Sequence, residues 1–281
     1  MTIKDITIVI ATYKSEEKIE NCINSINPNI KIIIVENSNN KKFQVDIQNK
    51  FSNVKCILAN DNLGYGKANN IGLKNVETKY SLILNPDTIL EKNTINNFLA
   101  FLEKNINFAL LGPLQEKKLS VLDIQKQNNI NLFEVEYIKG FAMFLNMKKF
   151  KNIGFFDENL FLFLEEIDLC RRVKKINEKI FVDENIKIFH YGGKSVGFIS
   201  SQEIELTRNW HWMWSTFYFN KKYNGFFIAF LKIVPTMIKS FFKFIFYSVT
   251  FNQKKRNIYL YRLSGINNSL LGKKSWYRPI I

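Results

Sequence analysis

The segment Tyr80-Ser81-Leu82-Ile83-Leu84-Asn85-Pro86-Asp87 reads as a buried strand ending in a turn that carries a carboxylate. A short, nearly unbroken apolar run suits a strand covered on both faces. Pro86 fixes the turn and removes a backbone donor, so Asp87 is aimed past the end of the strand. Outward from this segment the same grammar repeats. Ile6–Ala11 precedes the helical-period stretch Glu16–Ile26, then come Ile30–Val35, Val54–Leu58 with Lys67–Val76, and Thr94–Leu102 after Leu84. Strands alternating with helices predict an α/β fold, a Rossmann-like, mainly parallel sheet with helices on both faces. Ligands of such sheets bind beyond the carboxyl ends of the strands. Thr12-Tyr13-Lys14, Glu36-Asn37-Ser38, Asn60-Asp61-Asn62 and Asn85-Pro86-Asp87 should therefore share one edge.

From 114 to 200 the pattern loosens into a polar loop at Gln115–Asn131, a strand pair around Val135–Leu145, a helix near Glu165–Ile176, and short strands at Lys179–Val182 and Ile186–Phe189. Leu164, Ile167, Cys170, Val173 and Ile176 recur at roughly helical spacing, which puts Glu165, Glu166 and Asp168 on the first turn, where the helix dipole favours negative charge. The plain reading is a well-capped helix. The aromatic and aliphatic run Leu160–Leu164 just before it argues for more, because walling a carboxylate off from water raises its pKa towards that of a general base. Glu166 is the first choice for that role, with Glu165 and Asp168 behind it. Asp87 is the candidate ligand for a hard divalent cation. His190, just before Gly192-Gly193, is either structural, a metal ligand or a diphosphate contact. The segment Asn62-Leu63-Gly64-Tyr65-Gly66-Lys67-Ala68-Asn69-Asn70-Ile71-Gly72 has glycines for close backbone approach and amides able to pair with a base or ribose. It is neither a Walker loop nor a dinucleotide G-x-G-x-x-G fingerprint.

The chain has 281 residues and a net charge of +15, and residues 221–281 hold 12 Lys and Arg and no acid, which leaves only +3 for residues 1–220. This divides it into a domain over 1–220 and a basic, aromatic-rich helical tail over 221–281. Phe226–Phe251 is strongly apolar but interrupted by Lys232, Lys239 and Lys243, which fall within about 40° on one helical face. Three charges at ~3 kcal/mol each oppose a membrane-spanning helix. An amphipathic helix lying on an anionic membrane surface keeps the lysines at the headgroups. A helix pair packed on the sheet, or a homodimer interface, is the alternative use of the same surface. Three widely spaced cysteines in apolar stretches (Cys22, Cys56, Cys170) read as reduced core thiols of a cytosolic protein, and the N-terminus shows no secretory signal pattern.

Taken in order, five segments resemble the inverting family 2 glycosyltransferases of GT-A fold, within them the rhamnosyltransferase-like branch of bacterial polysaccharide assembly. They are Thr7–Tyr13, Ile34–Ser38, Asn62–Gly72, Leu84–Asp87, and Gly154-Phe155-Phe156-Asp157-Glu158 running into Glu165–Cys170. The resemblance covers roughly residues 5–220. It implies a nucleoside diphosphate sugar donor, dTDP-rhamnose or else a UDP-sugar, and a glycan or lipid-linked acceptor at the inner face of the cytoplasmic membrane. It implies Mn2+ or Mg2+ held through Asp87, with His190 at the diphosphate end or on the metal. Donor contacts would come from Thr12, Tyr13, Glu36, Asn62, Gly64, Lys67, Asn69, Asn70 and Asn85, and the base would be Glu166. The chain departs from the family pattern at three places. Glu36 and Glu166 stand where Asp is usual, and Asn85 replaces the first acid of the Asp-x-Asp motif. A nucleotidyltransferase would need a basic phosphate-gripping loop after the first strand, where this chain has Glu16-Glu17. A nucleic-acid-binding protein, the non-enzymatic rival, would show steep salt dependence and need no sugar nucleotide; a silent scaffold would disperse the carboxylates. The reading carried forward has no nucleic-acid partner.

Overall fold

The computed structural model describes residues 1–114, 125–126, 131–192 and 201–278. The polar stretch expected at Gln115–Asn131, apart from Asn131 and a two-residue strand, lies outside them, as does Gly193. In chain order the elements are β1 (Ile6–Thr12), α1 (Glu16–Asn24), β2 (Lys31–Glu36), α2 (Lys41–Lys50), β3 (Val54–Leu58), α3 (Tyr65–Lys74), β4 (Tyr80–Leu84), β5 (Thr88–Leu90), α4 (Thr94–Glu103) and β6 (Leu110–Pro113). Then follow β7 (Gln125–Lys126), β8 (Leu132–Glu134), β9 (Ala142–Asn146), α5 (Met147–Ile153), α6 (Glu165–Lys175), β10 (Ile180–Asp183), β11 (Ile188–His190), α7 (Ser201–Val249) and α8 (Gln253–Leu270).

Residues 1–156 and 166–197 form one compact unit, and residues 157–165 and 198–281 a second. The second unit thus begins ahead of the charge shift at Lys221. In the first, a nine-stranded sheet runs in the order β3-β2-β1-β4-β9-β6-β10-β8-β7, beside a two-stranded β11-β5 sheet. β3, β2, β1 and β4 are mutually parallel, with Thr12 opposite Glu36 and Glu36 opposite Leu58. That register brings the carboxyl ends of these strands to one edge, as the α/β reading requires. The strands are apolar on both faces because successive side chains point to opposite sides. Ile8, Ile10, Ile34 and Leu82 pack with Phe43 of α2 and Phe98 of α4, whereas Val9, Val35 and Ile83 pack with Leu73 of α3 and Leu169 of α6. Gly72 sets the approach of α3 to the sheet, since a Cβ there would fall 2.4 Å from Val9 Cγ1.

The strand pair expected around Val135–Leu145 is not a pair. β9 lies between β4 and β6, antiparallel to both, while β8 pairs with β10 and β7. The two apolar runs are close in sequence, but each finds its partner through the sheet.

In the second unit α7 breaks at Gly225, whose φ of +79° is outside the helical region. Residues 201–224 and 226–249 therefore form two helices, and α8 returns along them. Met213 and Phe217 of the first, Ala229 and Ile233 of the second, and Ile266 of α8 share a small core. The first helix and α8 come within backbone distance at Gly265, where a Cβ would stand 2.4 Å from the Trp210 carbonyl oxygen.

The C-terminal segment is fastened to the first of these helices through His211. The fully buried imidazole donates from Nε2–H to the Tyr277 carbonyl at 2.8 Å and accepts at Nδ1 from the Ser275 hydroxyl at 3.0 Å. The carbonyl can only accept, which fixes this tautomer. Burial pushes the imidazole pKa down to about 3 from 6.5, with the Tyr277 bond opposing the shift and Arg278 adding to it. Between those two values the unfolded chain binds a proton that the folded chain excludes, so stability is fully present above pH ~6.5 and is lost as pH falls towards ~3. By pH 4.5 the expected loss from this residue is ~3 kcal/mol. Denaturant unfolding of wild type and His211→Gln at pH 7.5 and 4.5 checks it; the variant, weaker at neutral pH, should lose less on acidification, and parallel losses would remove His211 as the cause.

Candidate active site

The strand-end loops of the first unit are tied together by side chains. Glu36, almost wholly buried at the end of β2, accepts at Oε1 from the Ser38 backbone N–H (2.9 Å) and hydroxyl (2.5 Å), and at Oε2 from the Asn40 N–H (2.7 Å). Its carboxylate thereby shapes the turn into α2. The additional methylene relative to Asp is used in reaching back to that turn. Asn37, beside it, donates to Asn62 Oδ1 and the Gly64 carbonyl and accepts from the Leu63 N–H at 2.9 Å. Gly64 then turns the chain into α3 at a φ of +80°, a conformation that favours glycine.

Asn70 is buried, and its amide grips the Phe156 backbone from both sides, Nδ2 donating to the carbonyl and Oδ1 accepting from the N–H, each at 2.9 Å. Asn69 is also buried and donates to the Tyr65 carbonyl. These two amides, expected among the donor contacts, are built into the packing of α3. Tyr13, Asn62, Lys67 and Asn85 are half-buried, and Thr12 is buried at the end of β1.

Asp87 sits where the sequence placed it, past the end of β4, with its side chain fully buried and Oδ1 3.4 Å from His190 Nε2. β11 brings the histidine there, pairing antiparallel with β5 so that His190 lies opposite Thr88. Asn85 Nδ2 is 3.4 Å from the same imidazole nitrogen. Behind the turn, Cys22 of α1 approaches Thr88 Oγ1 at 3.5 Å, and burial with the nearby Asp87 charge pushes its thiol pKa up to about 11 despite the Thr88 hydroxyl. All three cysteines are buried and free.

Among the described residues no three His, Cys, Asp or Glu side chains converge. Asp87 and His190 nevertheless offer a carboxylate oxygen and an imidazole nitrogen at one point, a donor set that suits Mn2+, whose remaining coordination positions phosphate oxygens and waters would fill.

The three acids of α6 have separate surroundings. Asp168 is fully buried and accepts from Arg172 Nε at 2.9 Å, and the same guanidinium caps the carbonyls of Ile153, Gly154 and Phe155. Through Arg172 it clamps the end of α5 and the loop that follows. Glu165 is buried, whereas Glu166 is half-buried. Burial pushes the Glu166 carboxyl above the ordinary carboxylate range, against the pull of its own and the Ile167 N–H groups and of the Lys139 ammonium. The chain enters α6 through Phe163 and Leu164, at φ of +72° and +70°. Such backbone costs ~1–3 kcal/mol per residue and clusters at functional sites.

Two residues that sequence reasoning passed over join these groups. Gly140 lies against Glu166, since a Cβ on the glycine would stand only 3.6 Å from Glu166 Cβ, and its carbonyl accepts from the Tyr65 hydroxyl. Phe141 stacks on the His190 ring at 4.6 Å and gives its carbonyl to the Asn85 N–H at 2.9 Å. One dipeptide at the start of β9 thus touches the candidate base, the Asn62–Gly72 segment and the Asp87–His190 pair. Glycine beside an aromatic, entering a strand, was the available signal.

A family model described as Glycosyl transferase family 2 matches residues 7–171, more than half of the chain. The low-salt glycan biosynthesis hexosyltransferase Agl10 of Haloferax volcanii is 25% identical over 198 residues, 63% of this chain and 64% of the relative, so the match spans just under two thirds of that protein. The rhamnosyltransferase WbbL of Escherichia coli (strain K12) is 22% identical over 66% of this chain and 82% of its own. Among solved structures, the mannosyltransferase PcManGT from Pyrobaculum calidifontis in complex with GDP-Man and Mn2+ superposes with a TM-score of 0.59 at 10% identity, covering 96% of this chain and 88% of that one. S. aureus TarS 1-349 in complex with UDP-GlcNAc gives 0.55 at 15%, covering 97% and 93%. At these identities the structural likeness is one of fold, the GT-A fold expected from the sequence.

Proposed function

The chain belongs to glycosyl transferase family 2, and on that premise we propose that it is an inverting, metal-dependent hexosyltransferase acting on a glycan or lipid-linked acceptor in the cytoplasm. The observation that carries this reading is the Gly140-Phe141 dipeptide, which sets Glu166 on one side and Asp87 with His190 on the other. Asp87 and His190 would hold Mn2+ or Mg2+, which supplies positive charge to the leaving diphosphate when bound. The strand-end loops would hold the nucleotide, with Tyr13, Asn62, Lys67 and Asn85 in reach of it. Glu166 takes the proton of the acceptor hydroxyl while the oxygen of that hydroxyl bonds to the anomeric carbon, the bond from that carbon to the diphosphate oxygen breaks, and the configuration inverts. A carboxylate with a raised pKa is a better base for this step than an exposed one.

For the donor we propose L-rhamnose from dTDP-rhamnose, supported by the motif resemblance and by the E. coli rhamnosyltransferase. A UDP-sugar is the second reading, supported by the extended likeness to TarS with UDP-GlcNAc. Calorimetric titration with dTDP, UDP and GDP, each with and without Mn2+, decides. Binding of dTDP that requires Mn2+ is the expected result; preference for UDP selects the second reading, and silence from all three would overturn the site.

A further inference from the structure

The second unit leaves one face of a helix bare. Along residues 226–249, Phe227, Leu231, Ile238, Phe242, Ile245 and Val249 are exposed by 42–81%. At 100° per residue these six fall within about 60° of one another. The opposite face of the same helix is occupied, Ala229 and Ile233 packing on Met213, Phe217 and Ile266. Lys232, Lys239 and Lys243 lie about 110° from the middle of the stripe, on its flank. Lys232 bonds Asn220 Oδ1 at 3.2 Å and Lys243 the Tyr259 hydroxyl at 3.0 Å, so two of the three are held at that level. The stripe ends at Phe251, 89% exposed at the turn into α8, and after Asn252 and Gln253 come Lys254, Lys255 and Arg256.

We propose that this face docks the protein on an anionic lipid surface, the helix lying in the plane of the interface with the six apolar side chains among the acyl chains and the flanking lysines among the headgroups. Charge selects the occupant. Residues 221–281 hold 12 basic residues and no acid. A second copy laid against the stripe would bring two rows of lysines together, whereas anionic headgroups neutralise them. By length and composition α7 is also apolar enough to span a membrane. Crossing would nonetheless strip the inner face from its packing and draw the basic start of α8 through the hydrocarbon, while lying flat demands neither. This docking does not depend on the transferase reading.

Flotation of the full chain with vesicles of neutral phosphatidylcholine, and with vesicles containing about one third phosphatidylglycerol, tests it. Strong flotation with the anionic vesicles, reduced at least about ten-fold in Phe227→Ser/Leu231→Ser/Phe242→Ser and several-fold in Lys232→Gln/Lys239→Gln/Lys255→Gln, is expected. Circular dichroism of both variants should match wild type, because the altered side chains are exposed. Absence of wild type from the floated fraction overturns the proposal. So does a dimer in sedimentation that the apolar triple variant dissolves while vesicles bind nothing. Protein that stays with membranes through an alkaline carbonate wash would make the helix a span and overturn the flat orientation.

Discussion

Asp87→Ala is expected to abolish Mn2+-dependent nucleotide binding and to lower kcat/KM by about a thousand-fold, ~4 kcal/mol of transition-state stabilisation. The size follows from the site. The Asp87 side chain is fully buried, and His190 stands 3.4 Å from its Oδ1, so no other carboxylate among the described residues is placed beside the histidine to substitute for it. Asp87→Asn separates a metal role from a structural one. It keeps the shape of the turn, so without metal it should stay folded, and any fall in its melting temperature reports the carboxylate's contact with His190. Added Mn2+ should raise the wild-type melting temperature by mass action, and by more with the diphosphate present, while leaving the variant where it was. Equal shifts in both proteins would place the ion elsewhere, and an Asp87→Asn protein already unfolded without metal would make the residue part of the packing.

Much of the frame that carries this candidate site is legible in the sequence alone. The runs Tyr80–Leu84 and Val54–Leu58 are strands to the residue; the first, buried throughout, is written as a nearly continuous apolar run, and the second, at the sheet edge, is interrupted by the exposed Lys55 but bounded by turn residues. Elements with weaker patterns escape a linear reading. α2 carries Phe43, Val45 and Ile47 among lysines and glutamines, an alternation closer to a strand than to a helix, and α5 is too short for its period to register. Non-local choices lie further beyond it. Nothing in Ala142–Asn146 says that it enters between β4 and β6, yet that insertion delivers Phe141 to His190.

The acids show the same division between kind and role. Sequence groups Glu165, Glu166 and Asp168 on one helical turn, and only the partners distinguish them: Arg172, four residues on, takes Asp168, while Glu166 lies against Gly140. Likewise Glu36 and Asn70 are expected as donor contacts from the family resemblance, and their bonds to the Ser38–Asn40 turn and to Phe156 show that both side chains also hold those loops in place.

Glu166→Gln should then lower kcat by about 10^2–10^4-fold while changing donor binding little, since the amide keeps the size of the side chain but cannot take a proton. Stability distinguishes a base from a structural acid here. Burial holds the Glu166 pKa above its ordinary value, which means the ionised form is disfavoured in the folded protein. A neutral isostere removes that penalty, so Glu166→Gln should melt no lower than wild type at pH 7 while losing most of its rate, the trade expected where a fold tolerates strain for chemistry. The pH profile adds a second readout. Activity should rise with the ionisation of Glu166, placing the acid limb of kcat/KM above the usual carboxylate range, and the residual activity of the variant should lack that limb. Asp168→Asn makes the contrast: it breaks the Arg172 clamp on residues 153–155 and should cost stability first, without moving the acid limb in whatever remains folded. If Glu166→Gln retains its rate and Glu165→Gln loses it, the neighbouring carboxylate is the base.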